Sequence, residues 1–115
     1  IIPELKGKLE GLAMRVPTPN VSLVDFVFNS KNNLSKKKIN ESFIRASKKE
    51  LKNVLDVTEE RLVSIDFNHN PYSAVVDLSL TNVVGNNMGK VSAWYDNEWG
   101  FASRMNDLAE YIHKI

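Results

Sequence analysis

The fold is decided by the stretch VSAWYDNEWGFASRMNDLAEYIHKI, residues 91–115, in which the hydrophobic period changes partway along. At its start, apolar side chains stand at every second position, which predicts a strand. Further on they recur at spacings of four and three and draw one apolar stripe along a helix, formed by Phe101, Met105, Leu108, Ile112 and Ile115. The stretch therefore predicts a strand that leads into a C-terminal amphipathic helix of about residues 97–115, capped by Asp96 or Asn97.

The rest of the chain contains patterns for several strands and one more substantial helix. Ser35 precedes an apolar face that continues to about Lys49, so it is predicted to be the N-cap of that helix. Strands are predicted at residues 9–16, 21–28, 62–67 and 74–81, and a short helical turn at residues 58–60. The second of these strands is expected to be covered on both faces, and the fourth to be half-buried. Together the patterns predict an α+β fold: part of a mixed or antiparallel sheet with helices on one face, ending in the C-terminal helix.

Composition and length bound the class of protein. The chain has 115 residues, 43% hydrophobic and 25% charged, which suits one folded domain of a soluble protein. Its net charge of +1 gives no reason to expect a nucleic-acid partner, and no apolar run approaches the roughly 18 residues of a membrane span. We therefore expect a cytoplasmic protein with no membrane and no nucleic-acid partner. Because the first residue is Ile1 rather than Met, we also expect that the chain begins inside a longer product or after processing.

Several kinds of site find no support in the sequence. The absence of cysteine excludes disulfides, thiolate metal sites and a cysteine nucleophile within this chain. The five glycines do not have the spacing of a dinucleotide-binding fingerprint. His69 and His113 are far apart, and neither pairs at helical spacing with an acid or a second histidine. We accordingly predict no metal site and no catalytic residue in this chain.

Two places have both a functional and a structural interpretation. Arg15 ends a predicted strand just before the PTPN corner (residues 17–20), where its guanidinium could bind a phosphate or carboxylate in a bidentate manner; the pattern alone favours a structural salt bridge. Residues 94–101 concentrate aromatic and polar side chains at the strand-to-helix junction. There the pattern alone favours a capped helix with aromatic core anchors. The basic run at residues 31–38 is most simply a solvated face.

Four segments of the chain resemble one enzyme family. GLAMRVPTPNVSLVDF (residues 11–26) and WYDNEWGFASRM (residues 94–105) closely resemble the RVPTPNVS and WYDNEWGYS segments of glyceraldehyde-3-phosphate dehydrogenases. PELKGKL (residues 3–9) and VSIDFNHNPYS (residues 63–73) also fit, in the right order and spacing, so the resemblance covers the whole chain. It implies that residues 1–115 are the C-terminal part of that enzyme's catalytic domain, including the C-terminal helix. The nucleotide-binding domain, the catalytic cysteine and the histidine that activates it would then lie upstream, outside this chain.

The resemblance also implies a reaction and two binding residues. A full enzyme of this family oxidises and phosphorylates glyceraldehyde 3-phosphate with NAD, by way of a thiohemiacetal on its cysteine. Arg15 matches the family arginine that binds a phosphate group of the substrate, a role that suits a bidentate guanidinium. Asn97 matches the family asparagine that hydrogen-bonds the nicotinamide carboxamide. The implied ligands are a phosphorylated aldehyde and inorganic phosphate, the implied assembly is a homotetramer in glycolysis, and this chain alone is expected to be inactive.

Two other interpretations stay open at this point. Erythrose-4-phosphate dehydrogenase shares the NEWGF pattern of residues 97–101, although Tyr95 favours the glyceraldehyde enzyme because the erythrose enzyme has a cysteine there. Alternatively, the chain is a free-standing binding or assembly module that uses its sheet and the basic run at residues 31–38.

Overall fold

A computed structural model describes residues 2–115 and contains five strands and two α-helices. The strands are β1 (Ser22–Asn29), β2 (Leu55–Thr58), β3 (Ala74–Asp77), β4 (Asn82–Val84) and β5 (Met88–Tyr95). The helices are α1 (Lys36–Lys48) and α2 (Trp99–His113), with short 3-10 helices at Pro3–Leu5 and Ser64–Phe67. The α+β class predicted from the sequence is confirmed.

All five strands form one mixed sheet in the order β1-β5-β3-β2, with β4 also paired to β5. β5 is the central strand: β1 runs antiparallel along its whole length, while β4 and β3 share its other side one after the other. β2 and β3 are parallel, which requires the crossover that contains the 3-10 helix Ser64–Phe67. The sheet is therefore organised around β5, the strand that leads into α2.

The core consists of two clusters on opposite faces of the sheet. Val75 and Val76 are consecutive on β3, so their side chains point to opposite faces. Val75 packs with Val21 and Phe67, against which the Trp94 ring stacks at a centroid distance of 5.3 Å. The second cluster is formed by Leu55, Val76 and Leu78, and it is covered by Phe43 and Ile44 of α1. α1 is thus the helix that packs on the sheet.

The N-terminus of α1 agrees with the sequence. The Ser35 side chain accepts a hydrogen bond from the Lys38 backbone N–H at 3.2 Å, which satisfies one of the donors that a helix end leaves without an internal partner. Ile39, in the first turn, is buried. The predicted cap at Ser35 is confirmed.

Three predicted elements were wrong, because the hydrophobic pattern does not show which strands find a partner or where a local side-chain bond forms. Residues 9–16 form no strand, since no strand of the described residues lies beside them to pair with. Residues 62–67 form a 3-10 turn instead of a strand, because the Asp66 carboxylate accepts the Val63 backbone N–H at 2.8 Å and competes with ladder pairing. Thr58 ends a strand that pairs with β3 rather than starting a helical turn.

Burial also differs from expectation at two strands. β1 is an edge strand whose apolar side chains are largely exposed on both faces, with Val27 54% exposed, because nothing in residues 2–115 covers it. β3 is shorter than predicted and buried on both faces rather than half-buried. It ends at Asp77, whose carboxylate accepts hydrogen bonds from the backbone N–H and the hydroxyl of Ser79 and so turns the chain.

Candidate functional site

The register of β1 and β5 brings the PTPN corner and the turn into α2 together at one end of these two strands. Ser22 pairs with Tyr95 in the antiparallel ladder, so the residues just before β1 lie beside those just after β5. The PTPN corner, which follows Arg15, ends at Asn20. The turn into α2 begins at Asp96 and contains Asn97. Two segments far apart in sequence therefore meet here.

Asp96 is the centre of this junction. Its side chain is 2% exposed, yet four donors surround it. Oδ1 accepts the backbone N–H groups of Glu98 at 3.1 Å and Trp99 at 2.9 Å. Oδ2 accepts the Asn20 side-chain amide and the His69 backbone N–H, both at 2.9 Å. A buried carboxylate is stable only when it is satisfied in this manner.

These bonds set the ionisation of Asp96. Burial removes the carboxylate from water and by itself raises the pKa of Asp96, but the hydrogen bonds from Trp99, His69, Glu98 and Asn20 together outweigh it. The pKa of Asp96 is consequently lowered from its ordinary value of 3.8. The side chain is a buried anion at neutral pH.

Asp96 is also the effective N-cap of α2. Its backbone carbonyl accepts the Gly100 N–H at 2.9 Å, which is a helical i to i+4 bond, while its carboxylate satisfies two donors of the first turn. Of the two predicted caps, Asp96 is correct and Asn97 is wrong. Asn97 follows the cap and is exposed, and the two hydrogen bonds from the first turn are accepted by Asp96 instead.

The Asn97 side chain is exposed, and within residues 2–115 no hydrogen bond engages it. A carboxamide offers both a donor and an acceptor, which is what a nicotinamide carboxamide requires. The Asn97 carboxamide is therefore chemically able to pair with a nicotinamide carboxamide, whereas the described residues contain no glycine-rich loop for the phosphates of a dinucleotide.

Arg15 is exposed in an extended segment before the PTPN corner, and in the described part of the chain no carboxylate forms an ion pair with it. The salt bridge favoured by the pattern alone is therefore not present among these residues. Asn20 lies five positions after Arg15, so their Cα atoms lie within about 18 Å of each other. No hydrogen bond joins Arg15 to Asn97 in residues 2–115.

Two backbone positions beside Asp96 have left-handed conformations. Val21 has a φ of 71°, a genuine outlier for a β-branched residue, and it is held by packing against Phe67 and Val75. His69 has a φ of 60°, its N–H donates to Asp96, and its ring lies 4.5 Å from the Trp99 ring. These residues surround the candidate site, and the sequence pattern assigned neither Val21 nor His69 a role in it.

The start of α2 is fixed against residues 71–73. Gly100 approaches so closely that a Cβ atom would lie 2.9 Å from the Tyr72 carbonyl oxygen. One turn later Arg104 donates hydrogen bonds to the Pro71 carbonyl at 3.3 Å and the Ser73 hydroxyl at 3.2 Å. The first turns of α2 are thereby held in place, together with the junction that carries Asn97.

Comparison with known proteins gives one consistent result. A family profile described as "Glyceraldehyde 3-phosphate dehydrogenase, C-terminal domain" matches residues 1–97. The chain is 49% identical over 115 residues to the glyceraldehyde-3-phosphate dehydrogenase of Xanthobacter flavus. The aligned region covers 100% of this chain and 34% of that relative. The chain is 51% identical over 112 residues to glyceraldehyde-3-phosphate dehydrogenase 2 of Bacillus subtilis, covering 97% of this chain and 33% of the relative. A chloroplastic relative from Arabidopsis thaliana is 50% identical over 112 residues, covering 97% of this chain and 28% of its own.

The α+β fold and these named relatives define the class, the C-terminal domain found in a family of dehydrogenases. The chain belongs to the family of the glyceraldehyde-3-phosphate dehydrogenase C-terminal domain. It spans about a third of the length of the relatives it matches. Among residues 2–115, no helix is long and apolar enough to cross a membrane.

Proposed function

We propose that this chain is the C-terminal part of a phosphorylating glyceraldehyde-3-phosphate dehydrogenase, comprising the end of the catalytic domain and the C-terminal helix. The observation that carries the proposal is the meeting of the PTPN corner with the turn into α2, because it gathers at one sheet edge the two segments whose residues match family binding residues. The complete enzyme would be a cytoplasmic homotetramer in glycolysis.

In this proposal each of the two residues binds one ligand. The Arg15 guanidinium, exposed and without an ion-pair partner in the described residues, binds the phosphate group of glyceraldehyde 3-phosphate. The Asn97 carboxamide hydrogen-bonds the nicotinamide carboxamide and fixes which face of the ring is presented to the substrate. Bound NAD supplies the hydride acceptor. The nucleophile and base come from outside this chain, which has no cysteine.

A chimera tests this function. In it, this chain replaces the matching third of the Bacillus subtilis relative, and turnover is measured with glyceraldehyde 3-phosphate, NAD and inorganic phosphate. We expect activity within about tenfold of the parent enzyme, and none from the 115-residue chain alone. An inactive but folded chimera would contradict the proposal, and turnover by the chain alone would contradict the absence of a nucleophile.

The same chimera separates the proposal from the erythrose alternative. Kinetics are measured on glyceraldehyde 3-phosphate and erythrose 4-phosphate at equal cofactor concentration, with the Bacillus subtilis parent as the matched control. A preference for glyceraldehyde 3-phosphate like that of the parent is expected. A shift in preference toward erythrose 4-phosphate, caused by these residues alone, would favour the alternative.

A further inference from the structure

The hydrogen bond between Asn20 and Asp96 joins residues 76 positions apart, and each lies close in sequence to one proposed binding residue. Asp96 directly precedes Asn97. Asn20 ends the PTPN corner, in which Pro17 and Pro19 restrict the backbone between Arg15 and Asn20. The Thr18 N–H also donates to the Val16 carbonyl at 2.9 Å. The position of Asn20 thus fixes the end of the corner from which the segment that carries Arg15 continues away from β1.

The corner is fixed on its other side as well. Directly after Asn20, Val21 is buried in a left-handed conformation that a β-branched residue adopts only when its surroundings enforce it. The Asn20 amide, besides its bond to Asp96, donates to the Asn68 side-chain carbonyl at 2.7 Å. Asn20 is therefore held between two acceptors and cannot shift without breaking one of these bonds.

Position 96 requires a carboxylate for this arrangement. Asp96 Oδ2 accepts from both the Asn20 amide and the His69 N–H. An asparagine at position 96 would place an NH₂ group opposite those two donors if its oxygen kept the Oδ1 contacts with Glu98 and Trp99. The bond to Asn20 depends on the anionic acceptor.

We propose that Asn20 and Asp96 are positioning residues whose mutual hydrogen bond sets where Arg15 lies relative to Asn97, and hence where the substrate phosphate lies relative to the nicotinamide. The inference rests on the proposed function. Neither residue touches a ligand in this account, and each acts through its neighbour in sequence. A displacement of about 1 Å is sufficient to cost two orders of magnitude in rate when a reacting group is misplaced.

The test uses the chimera with three variants: Asn20→Asp, Asp96→Asn and the exchanged pair carrying both. Asn20→Asp places two carboxylates against each other, and Asp96→Asn places two amides against each other. The exchanged pair restores a donor and an acceptor in reversed order, while the exposed Asn68 amide can turn to donate to the new carboxylate. It does not restore the His69 contact, so partial recovery is expected.

The measured quantity is the ratio of kcat/KM for glyceraldehyde 3-phosphate to that for unphosphorylated glyceraldehyde. A loss of folded enzyme lowers both values equally and leaves the ratio unchanged, whereas misplacement of Arg15 lowers only the first. We expect the ratio to fall about tenfold in each single variant and to return to within about threefold of the parent in the exchanged pair. Asn20→Ala, which removes the amide without adding charge, is expected to lower the ratio as well.

Asp77→Asn is the matched control. Asp77 is also a buried aspartate, 4% exposed, that accepts hydrogen bonds at the end of a strand. Extending the β3–β5 register places it opposite Ser92, about 14 Å along the strand from Asp96. Its substitution is expected to lower stability and to leave the substrate ratio within about twofold of the parent.

A second readout needs neither substrate nor cofactor. Hydrogen exchange of the Thr18 and His69 amides is followed in the 115-residue chain. In Asn20→Asp, the exchange rates of both amides should be at least about fivefold higher than in Asp77→Asn, because the hydrogen bond between residues 20 and 96 is lost. Unchanged exchange in Asn20→Asp, or an unchanged substrate ratio in an active chimera, would overturn the inference. An inactive parent chimera would instead refute the proposed function, and the exchange result would still decide whether the bond holds the corner.

Discussion

At the scale of single residues, the two side chains proposed to bind ligands differ from the residues around them in exposure and in hydrogen bonding. Arg15 and Asn97 are exposed and have no side-chain partner among the described residues. Asp96, Asn20 and Val21 are the opposite, since each is fixed by hydrogen bonds or packing. Asn97 is left available directly after a satisfied, buried anion, and Arg15 lies five positions before the asparagine that is hydrogen-bonded to that anion.

Arg15→Ala in the chimera should weaken transition-state binding of glyceraldehyde 3-phosphate. The loss of a charge-assisted bidentate contact is worth about 1.5 to 3 kcal/mol, or roughly tenfold to over a hundredfold in kcat/KM. Steady-state kinetics measures it. Arg45→Ala, an exposed arginine on α1, is the control and should have no effect on kcat/KM. Equal kcat/KM values for the two variants would show that Arg15 does not bind the substrate phosphate.

Asn97→Ala should change cofactor binding without changing stability. The cap of α2 comes from Asp96, so the free energy of unfolding should remain within about 0.5 kcal/mol of the parent. The dissociation constant of NAD in the chimera, measured by calorimetry, should rise about fivefold to twentyfold through loss of one hydrogen bond. If Asn97→Ala lowered stability and left NAD affinity unchanged, Asn97 would have a purely structural role.

At the scale of elements, the molecule depends on how β5 passes into α2. The strand ends at Tyr95, and Asp96 caps the helix. Gly100 and Arg104 then hold the first turns of the helix against residues 71–73. The helix then continues away from the sheet with its apolar side exposed. The stability of α2 within this chain is therefore concentrated in its first two turns.

Asp96 should make the stability of the chain depend on acid. Its pKa is lowered in the folded state, so its contribution is fully present above the ordinary pKa and is lost as the pH falls through the folded value. Urea unfolding between about pH 7 and about pH 2.5 should show this decline below about pH 4. Asp96→Asn should be less stable by about 1.5 to 3 kcal/mol at pH 7 and should show a shallower acid decline. Parallel curves for parent and variant would contradict the role of the carboxylate.

Gly100→Ala should destabilise the chain although alanine favours helix. The added methyl would lie 2.9 Å from the Tyr72 carbonyl oxygen, and the backbone there has to shift to admit it. We expect a net loss of about 1 to 2 kcal/mol in urea unfolding. Gly11→Ala is the control, because no atom lies within 4 Å of the added Cβ. Equal stability of the two variants would show that α2 is not held closely against Tyr72.

At the scale of the whole molecule, large apolar surfaces are exposed. The stripe of α2 is open to solvent, with Phe101 67% exposed, and β1 exposes apolar side chains on both faces. Monomeric soluble proteins rarely expose apolar patches of this extent. The chain spans about a third of the length of its relatives. Exposed apolar surfaces of this extent favour association.

The 115-residue chain should therefore associate with itself. Sedimentation velocity at rising concentration should give an average mass above 13.0 kDa. Replacing Phe101 and Leu108 by glutamine should shift the average back toward the monomer, whereas Asn106→Gln on the same helix should not. A chain that sediments as a monomer at every concentration would contradict association through this stripe.

How much of this could be read from the sequence depends on how local the determining contacts are. Periodicities and caps that operate over a few residues predict α1 with its Ser35 cap, β1, β5 and α2. The family resemblance is what proposes Arg15 and Asn97 as binding residues. The prediction of a strand at residues 62–67 was wrong because a single hydrogen bond to the Asp66 side chain outweighs a period-two pattern. The prediction that β1 is buried on both faces was wrong, because an apolar strand needs a covering surface but does not show that the chain supplies one.

The sequence by itself determined the class of fold, the family and the two exposed residues proposed to bind ligands, because each depends on residue type and spacing alone. Only the tertiary structure decided that Asn20 and Asp96 meet, that Val21 takes a left-handed conformation, and that Asp96 rather than Asn97 caps α2. The physical reason is the register of β1 against β5. It brings together two chain segments that no local pattern relates, and the hydrogen bonds of a buried carboxylate then fix them.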